Sequence, residues 1–308
     1  MEISRKSNMK TKSVFLILLI LAVIFAFSMN GISAANTHNV NDTGNVGGNV
    51  TNASNGDTIF IDGGNYTKDK NNATGIEVNK NLTIRGGVNG STTYFDGQGQ
   101  YWFFRVKGGN KLTLINITFI NGYDNGGFGG AIKVDGGGSL GVDTCVFQEN
   151  KANSGGAIDV DTGGTLTVTN TKFIGNQATS GDGGAIYNEG NMNLNNCIFT
   201  NNTATDNGGA IFNDGGSKGG SYHANINKCN FETNNATDGK GGAIFSQYMV
   251  LNITNCNFTK NIAATDTFDN GRGGAIFNVD GNLYISGGTF SGNTATINGG
   301  AIYSVLTI

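Results

Sequence analysis

Proline is absent from this 308-residue chain, so its turns are made without the residue that most rigidly sets one. Glycine takes its place, with 51 copies. They follow no G-X-Y period, which excludes a collagen. Charge is scarce as well, at 13% of residues against 37% hydrophobic ones, a balance that fits a folded chain and not a disordered one. One hydrophobic run is present near the start, 14 residues from Val14 to Phe27, between the basic front MEISRKSNMKTK and small residues at Ser33 and Ala35. It falls short of the roughly 20 residues that span a bilayer, so residues 1–35 read as a secretory signal peptide cut after Ala35. No second such run follows, and no membrane span is expected in the mature chain. Beyond Ala35 there are 15 basic side chains against 21 acidic ones, which argues against nucleic acid as a partner.

What is present is a repeat. GGAI begins at Gly129, Gly155, Gly183, Gly208, Gly241, Gly273 and Gly299, at spacings of 26, 28, 25, 33, 32 and 26 residues. A glycine pair before an Ala-Ile-X run reads as a turn leading into a strand. A second element, phenylalanine with asparagine three and alanine five residues later, accompanies the six complete copies: Phe147/Asn150/Ala152, Phe173/Asn176/Ala178, Phe199/Asn202/Ala204, Phe231/Asn234/Ala236, Phe258/Asn261/Ala263 and Phe290/Asn293/Ala295. Between them lie alternating segments such as Leu166-Thr-Val168, with the period of two of a strand. No window beyond the signal shows a 3.6-residue period, so the chain is all-β.

Units of this length cannot bury a core alone and have to stack. The LxxLxLxxN consensus of leucine-rich repeats and the GGxGxDxUx of calcium-binding β-rolls are missing. A parallel β-helix, a solenoid of three short strands per coil, remains. Stacking at about 4.8 Å turns each inward position into a column, here one of phenylalanine and one of asparagine, the latter satisfying buried corner groups. The expected organisation is a signal peptide over 1–35, opening coils over 36–122 and the GGAI/FxxN helix over 123–308.

GGAI paired with FxxN resembles the repeats of bacterial polymorphic outer-membrane proteins and of adhesin-like surface proteins of archaea, right-handed β-helices related in shape to pectate lyases. The resemblance covers residues 129–308. Residues 56–67, GDTIFIDGGNYT, with NLTIRG, TTYFDGQ and LTLINITFING, are similar to the opening coils of pectate-lyase-like helices, although Phe119-Ile-Asn121 is one residue short of FxxN. Two departures stand out. There is no C-terminal translocator barrel, and six residues follow the last GGAI, which leaves truncation open. The resemblance implies a secreted or cell-surface adhesin-like protein that binds glycans or surface partners. The alternatives are a carbohydrate-active enzyme of lyase or hydrolase type and a structural spacer.

Candidate chemistry is sparse. Cys145, Cys197, Cys229 and Cys256 share one inward slot two residues before the phenylalanine, with Thr171 between the first two. That places Cys145 about 9.6 Å from Cys197, beyond bridging, and stacked cysteines suit a disulfide poorly, so all four read as free. Twelve Asn-X-Ser/Thr sequons, among them Asn65, Asn72, Asn81, Asn89 and Asn235, make the chain a candidate glycoprotein, whereas Asn116 and Asn252 are expected in strands. His38 and His223 are the two imidazoles, and His223 is expected in a loop after the insert GGSKGGSY. Lys133 beside Asp159, flanked by Asp135 and Asp161, comes nearest to a catalytic cluster, a pattern that surface ion pairs share.

Two further columns carry the site expectations. The residue after GGAI reads Lys133, Asp159, Tyr187, Phe212, Phe245, Phe277 and Tyr303. Alternation turns this column outward, so Tyr187, Phe212, Phe245, Phe277 and Tyr303 are expected to form an exposed aromatic stripe that suits sugar rings, unless loops or a partner cover it. Two residues further on, Asp135, Asp161, Glu189 and Asp214 occupy four consecutive coils. Stacked carboxylates repel, and calcium would relieve them. The plainer reading is turn chemistry, since three of the four precede glycine. No other cofactor is expected.

Overall fold

A computed structural model describes residues 35–217, 221–264 and 271–306. The expected signal peptide lies outside the described residues except for Ala35. One coil shows the plan of the rest. Ile158–Val160, Thr165–Thr169, Lys172–Ile174 and Gln177–Ala178 are four short strands separated by corners. Equivalent strands of successive coils join into parallel sheets of nine, ten, nine and six strands. We call these the isoleucine, leucine, phenylalanine and alanine sheets after their inward residues. The two-residue alanine strands are a fourth element beyond the three expected. The leucine sheet runs without a break from Thr37–Val40 to Asn282–Ser286, so the opening coils and the GGAI coils form one β-solenoid.

Register is kept from coil to coil. Leu140 pairs with Leu166 and Leu166 with Met192, while Phe147 pairs with Phe173 and Phe173 with Phe199. Alternation then decides burial: in Thr165–Thr169, Leu166 and Val168 are buried and the threonines face outward. Phe119, Phe147, Phe173, Phe199, Phe231 and Phe258 are fully buried, with successive ring centroids 4.7–5.0 Å apart. The isoleucine sheet changes character half-way. Its second inward row begins with Val78, Val106, Val134 and Val160 and continues with Asn188, Asn213, Ser246 and Asn278, all buried.

The corners account for the rest of the consensus. Asn150 donates from its backbone N–H (3.1 Å) and its Nδ2 (2.9 Å) to Asn176 Oδ1, and from Nδ2 to the Phe119 carbonyl (3.1 Å). The same three bonds recur at Asn176, Asn202, Asn234 and Asn261. Each side chain thus satisfies its own amide and two backbone groups where no strand can. The short Phe119-Ile-Asn121 keeps register nonetheless: Gly122 stands in the ladder position and its N–H donates to Asn150 Oδ1 at 2.8 Å. The glycine pairs have two separate causes. Gly208 has φ +68°, a left-handed turn, and a Cβ on Gly209 would lie 2.2 Å from the carbonyl oxygen of Gly242 in the next coil.

The last members of the two columns depart from the buried environment expected of them. Asn293 is half-buried, unlike Asn150, Asn176, Asn202, Asn234 and Asn261, which are fully buried. It keeps one side of the ladder: its Oδ1 accepts from the Asn261 backbone N–H and Nδ2, both at 2.9 Å, and its Nδ2 donates to the Phe258 carbonyl at 2.9 Å. On its other side no described asparagine follows, so Asn293 lacks the cover and the acceptor that every earlier member takes from its successor. Phe290 is half-buried for the same reason, stacked on Phe258 at 4.8 Å through one face only. At the opposite end of the phenylalanine column Tyr66 also pairs on one side only, with Phe95, yet is fully buried, so cover and not column position decides burial.

Two more left-handed corners flank each phenylalanine. The first holds Asn116, Thr144, Asn170, Asn196, Lys228 and Asn255 at φ 51–56°. Asn116 is therefore a corner residue and not the strand residue expected, whereas Asn252 lies within Val250–Thr254 as expected. His223 departs from expectation too, opening the strand His223–Asn227. All four cysteines are free and buried. Cys145 donates its N–H to the Thr171 hydroxyl at 3.2 Å, and burial pushes its thiol up to about 12.

Three substitutions test this account. Phe199→Ala should destabilise by roughly 3–5 kcal/mol through a cavity in the ring stack. Asn202→Ala should cost roughly 1–3 kcal/mol by stranding buried corner groups. Thr144→Asn, which puts a residue tolerant of the left-handed region at a β-branched position, should instead stabilise by about 1 kcal/mol. Chemical denaturation measures all three, and a neutral Phe199→Ala or Asn202→Ala would contradict the column account.

Candidate functional site

The outer column of the isoleucine sheet starts two coils earlier than the GGAI pattern shows. Strand pairing carries it through Glu77, Arg105, Lys133, Asp159, Tyr187, Phe212, Phe245, Phe277 and Tyr303. Its first four members are charged and its last five aromatic.

The aromatic half faces away from the main core, as alternation requires, but it is not an exposed stripe. Phe212, Phe245 and Phe277 are only 5%, 6% and 4% exposed and form a small apolar cluster of their own, flanked by half-buried Tyr187 and Tyr303. Their rings stack at 4.9–5.4 Å, so each face meets the neighbouring ring. Residues leading into the glycine pairs lie over them: Lys240 Nζ is 5.5 Å from the Phe277 ring centroid and the Arg272 guanidinium 5.6 Å from that of Tyr303. The expectation of open ring faces is corrected accordingly. Alternation gives the side of the sheet a residue occupies and says nothing of what loops do there.

The carboxylate row keeps its register, yet its members do not confront one another unpaired. Asp135 accepts from Arg105 Nε at 2.8 Å and lies 3.6 Å from Lys107 Nζ, and Asp161 lies 2.8 Å from Lys133 Nζ. Glu189 accepts from the Tyr187 hydroxyl (3.0 Å) and the Thr162 hydroxyl (2.8 Å), and Asp214 from the Gly216 N–H (2.7 Å). Among the described residues no group of three or more His, Cys, Asp or Glu side chains is arranged to hold a metal ion. The Asp214 bond is the turn chemistry that its following glycine pointed to.

Lys133 and Asp159 do come together, with Nζ and Oδ2 2.6 Å apart. Asp159 is 1% exposed, with the backbone of Gly129 packed against it. Burial pushes its carboxyl up to about 7, against the pull of Lys133. Burial opposes the charge on Lys133 as well, but Asp159 and Asp161 outweigh it and hold the ammonium above its ordinary value. The arrangement is a buried ion pair closed to solvent at the carboxylate. His38 is likewise committed, 2.8 Å from buried Asp57.

Two cavities were not legible in the repeat. An open groove of about 820 Å³ crosses four coils beside the phenylalanine and alanine sheets, lined among others by Asp96, Gln98, Tyr123, Glu149, Lys151 and Gln177. A smaller pocket of about 250 Å³ is lined by Trp102, Arg105, Asp124, Phe128, Gly129 and Lys133. Both involve residues 121–129, where the FxxN spacing first slips. That slip was the available signal.

The architecture defines a β-solenoid of stacked, register-preserving coils. Within it, residues 144–161, 170–189, 196–214 and 287–305 match the family model of the Chlamydia polymorphic membrane protein (Chlamydia_PMP) repeat. The first three matched stretches each run from the corner before a phenylalanine through the asparagine ladder and the glycine pair to the isoleucine strand, so these stretches of the chain are similar to that repeat. No curated protein matches the chain. Among the described residues no helix is long and apolar enough to cross a membrane.

The shifted carboxyl gives a pH test. Asp159 has an ordinary value of 3.8 and is raised to about 7 when folded, so the folded state holds this proton more tightly. Its contribution to stability is greatest below about pH 4, falls as pH rises towards about 7, and is level above that. The melting temperature of the wild type relative to Asp159→Asn should therefore decline across this window. A difference independent of pH would show that Lys133 keeps the carboxylate ionised throughout.

Proposed function

We propose that this protein is a surface-displayed, adhesin-like binding protein that takes glycans in the groove beside the phenylalanine and alanine sheets. The observation that carries the reading is the composition of that groove: two carboxylates, amides, an ammonium and a phenol drawn from successive coils line about 820 Å³ of open space. Spacing of about 4.8 Å per coil repeats these groups along the solenoid axis, which suits an extended chain of rings carrying many hydroxyls. Tyr123 supplies an aromatic side, its hydroxyl held by Asn125 Oδ1 at 3.2 Å. Gln98, Lys151 and Gln177 supply donors. Similarity to polymorphic membrane protein repeats supports the surface setting.

The test is a glycan and extracellular-matrix array probed with the mature chain, beside turnover assays on acidic polysaccharides. Retention of one or more glycans is expected, weakened roughly tenfold by Tyr123→Ala or Gln177→Ala. A folded protein that retains nothing would overturn the reading. Bond cleavage in the turnover assay would replace it with an enzyme.

A further inference from the structure

The pocket of about 250 Å³ is a meeting place of opposite charges that do not touch. Arg105 spends its Nε on Asp135 at 2.8 Å, and its two terminal nitrogens make no hydrogen bond among the described residues. Asp124 faces Arg105 and Lys133 without an ion pair to either. Burial raises its carboxyl above the ordinary range, while Lys133, the Phe128 backbone and Arg105 pull it back. A carboxylate and a guanidinium fork are thus held across a gap that neither closes.

The remaining walls are aromatic. Phe128 is 43% exposed, with Lys133 Nζ 5.3 Å from its ring centroid. Trp102 is half-buried, and its indole N–H has no hydrogen-bond partner among the described residues. Donors, an acceptor and flat apolar faces around a space below the roughly 300 Å³ of drug-sized sites match one small ring that is apolar on its faces and hydroxylated at its rim. Charge decides between kinds of ring. Arg105 and Lys133 line the pocket with Asp124 but are already paired with Asp135, Asp159 and Asp161, so the charge left without an ion pair in the lining is the Asp124 carboxylate, which disfavours an anionic ring.

We propose that Trp102, Arg105, Asp124 and Phe128 form a subsite for a single neutral pyranose, its face against the aromatic walls and its hydroxyls bridging Asp124 to the free end of Arg105. The subsite is separate from the groove and rests on the glycan reading only for the class of ligand.

Trp102 is the chain's one tryptophan, so its emission reports on this pocket alone. The full chain is titrated with the methyl glycosides of glucose, galactose, mannose and N-acetylglucosamine, and with glucuronate as the charged comparison. The expected result is a saturable change in emission with at least one neutral glycoside, weakened roughly tenfold or more by Phe128→Ala and by Asp124→Asn and unaffected by Tyr123→Ala in the groove. Phe128 is exposed, so its truncation leaves the fold in place, which circular dichroism checks. No saturable response to any neutral glycoside at up to about 100 mM, a response to glucuronate alone, or a response that survives both pocket variants would overturn the proposal. Array binding without a tryptophan response defeats the subsite and leaves the groove reading standing. A tryptophan response with an empty array does the reverse.

Discussion

Backbone hydrogen bonding between equivalent strands of neighbouring coils is the constraint from which the other features follow. The bond is indifferent to side chains, but it sets residue over residue at about 4.8 Å, so every position inside the stack has a near-copy of itself on either side. A residue type persists down a column when it can live beside itself. Phenylalanine does so by stacking, at 4.7–5.0 Å between the central rings. Asparagine does so because one amide carries both donor and acceptor, and each inner ladder member uses both. Carboxylates cannot, and where they line up a lysine, arginine, hydroxyl or backbone amide is set against each one.

That rule also explains the outer column of the isoleucine sheet, which is charged at one end and aromatic at the other. Signs come in pairs through the charged half, with Glu77 next to Arg105 and Lys133 next to Asp159. Tyr187 is where the two regimes join: its ring stacks on Phe212 at 5.0 Å and its hydroxyl donates to Glu189. Beyond it the loops have apolar surface to settle on, and Lys240 and Arg272 place their charges over rings.

Most of the architecture could be read from the residues because columns leave a periodic mark. The inward phenylalanine and asparagine, the free cysteines and the stacked coils were all legible. Periodicity gave Phe290 and Asn293 the same role as their predecessors, but burial depends on what lies over a residue, and that differs at the last coil. The outward direction of Tyr187, Phe212, Phe245, Phe277 and Tyr303 was legible too, but not their burial, since the covering residues lie in segments of irregular length. The alanine strands, only two residues long, are too short for alternation to reveal. The candidate sites were least legible of all. Trp102 and Asp124 lie outside the GGAI and FxxN elements, and Phe128, which bridges to Ser154 just before the glycine pair, holds a position whose residue type changes from coil to coil, so no like residues recur to mark the site.

The loops and the ladder divide the labour of variation. Successive coils are 26, 28, 25, 33, 32 and 26 residues long, yet Asn176, Asn202, Asn234 and Asn261 meet their neighbours with nearly the same geometry. Each coil presents the same upper and lower faces whatever its length. The unit of heritable change in such a molecule is therefore the whole turn: gene-level duplication or loss of one turn rejoins matching surfaces, whereas loss of one residue inside a strand inverts every side chain beyond it within that strand. Surface loops can diversify freely on a stack whose contacts are blind to them, which is a physical basis for rapid change of the exposed face at constant fold.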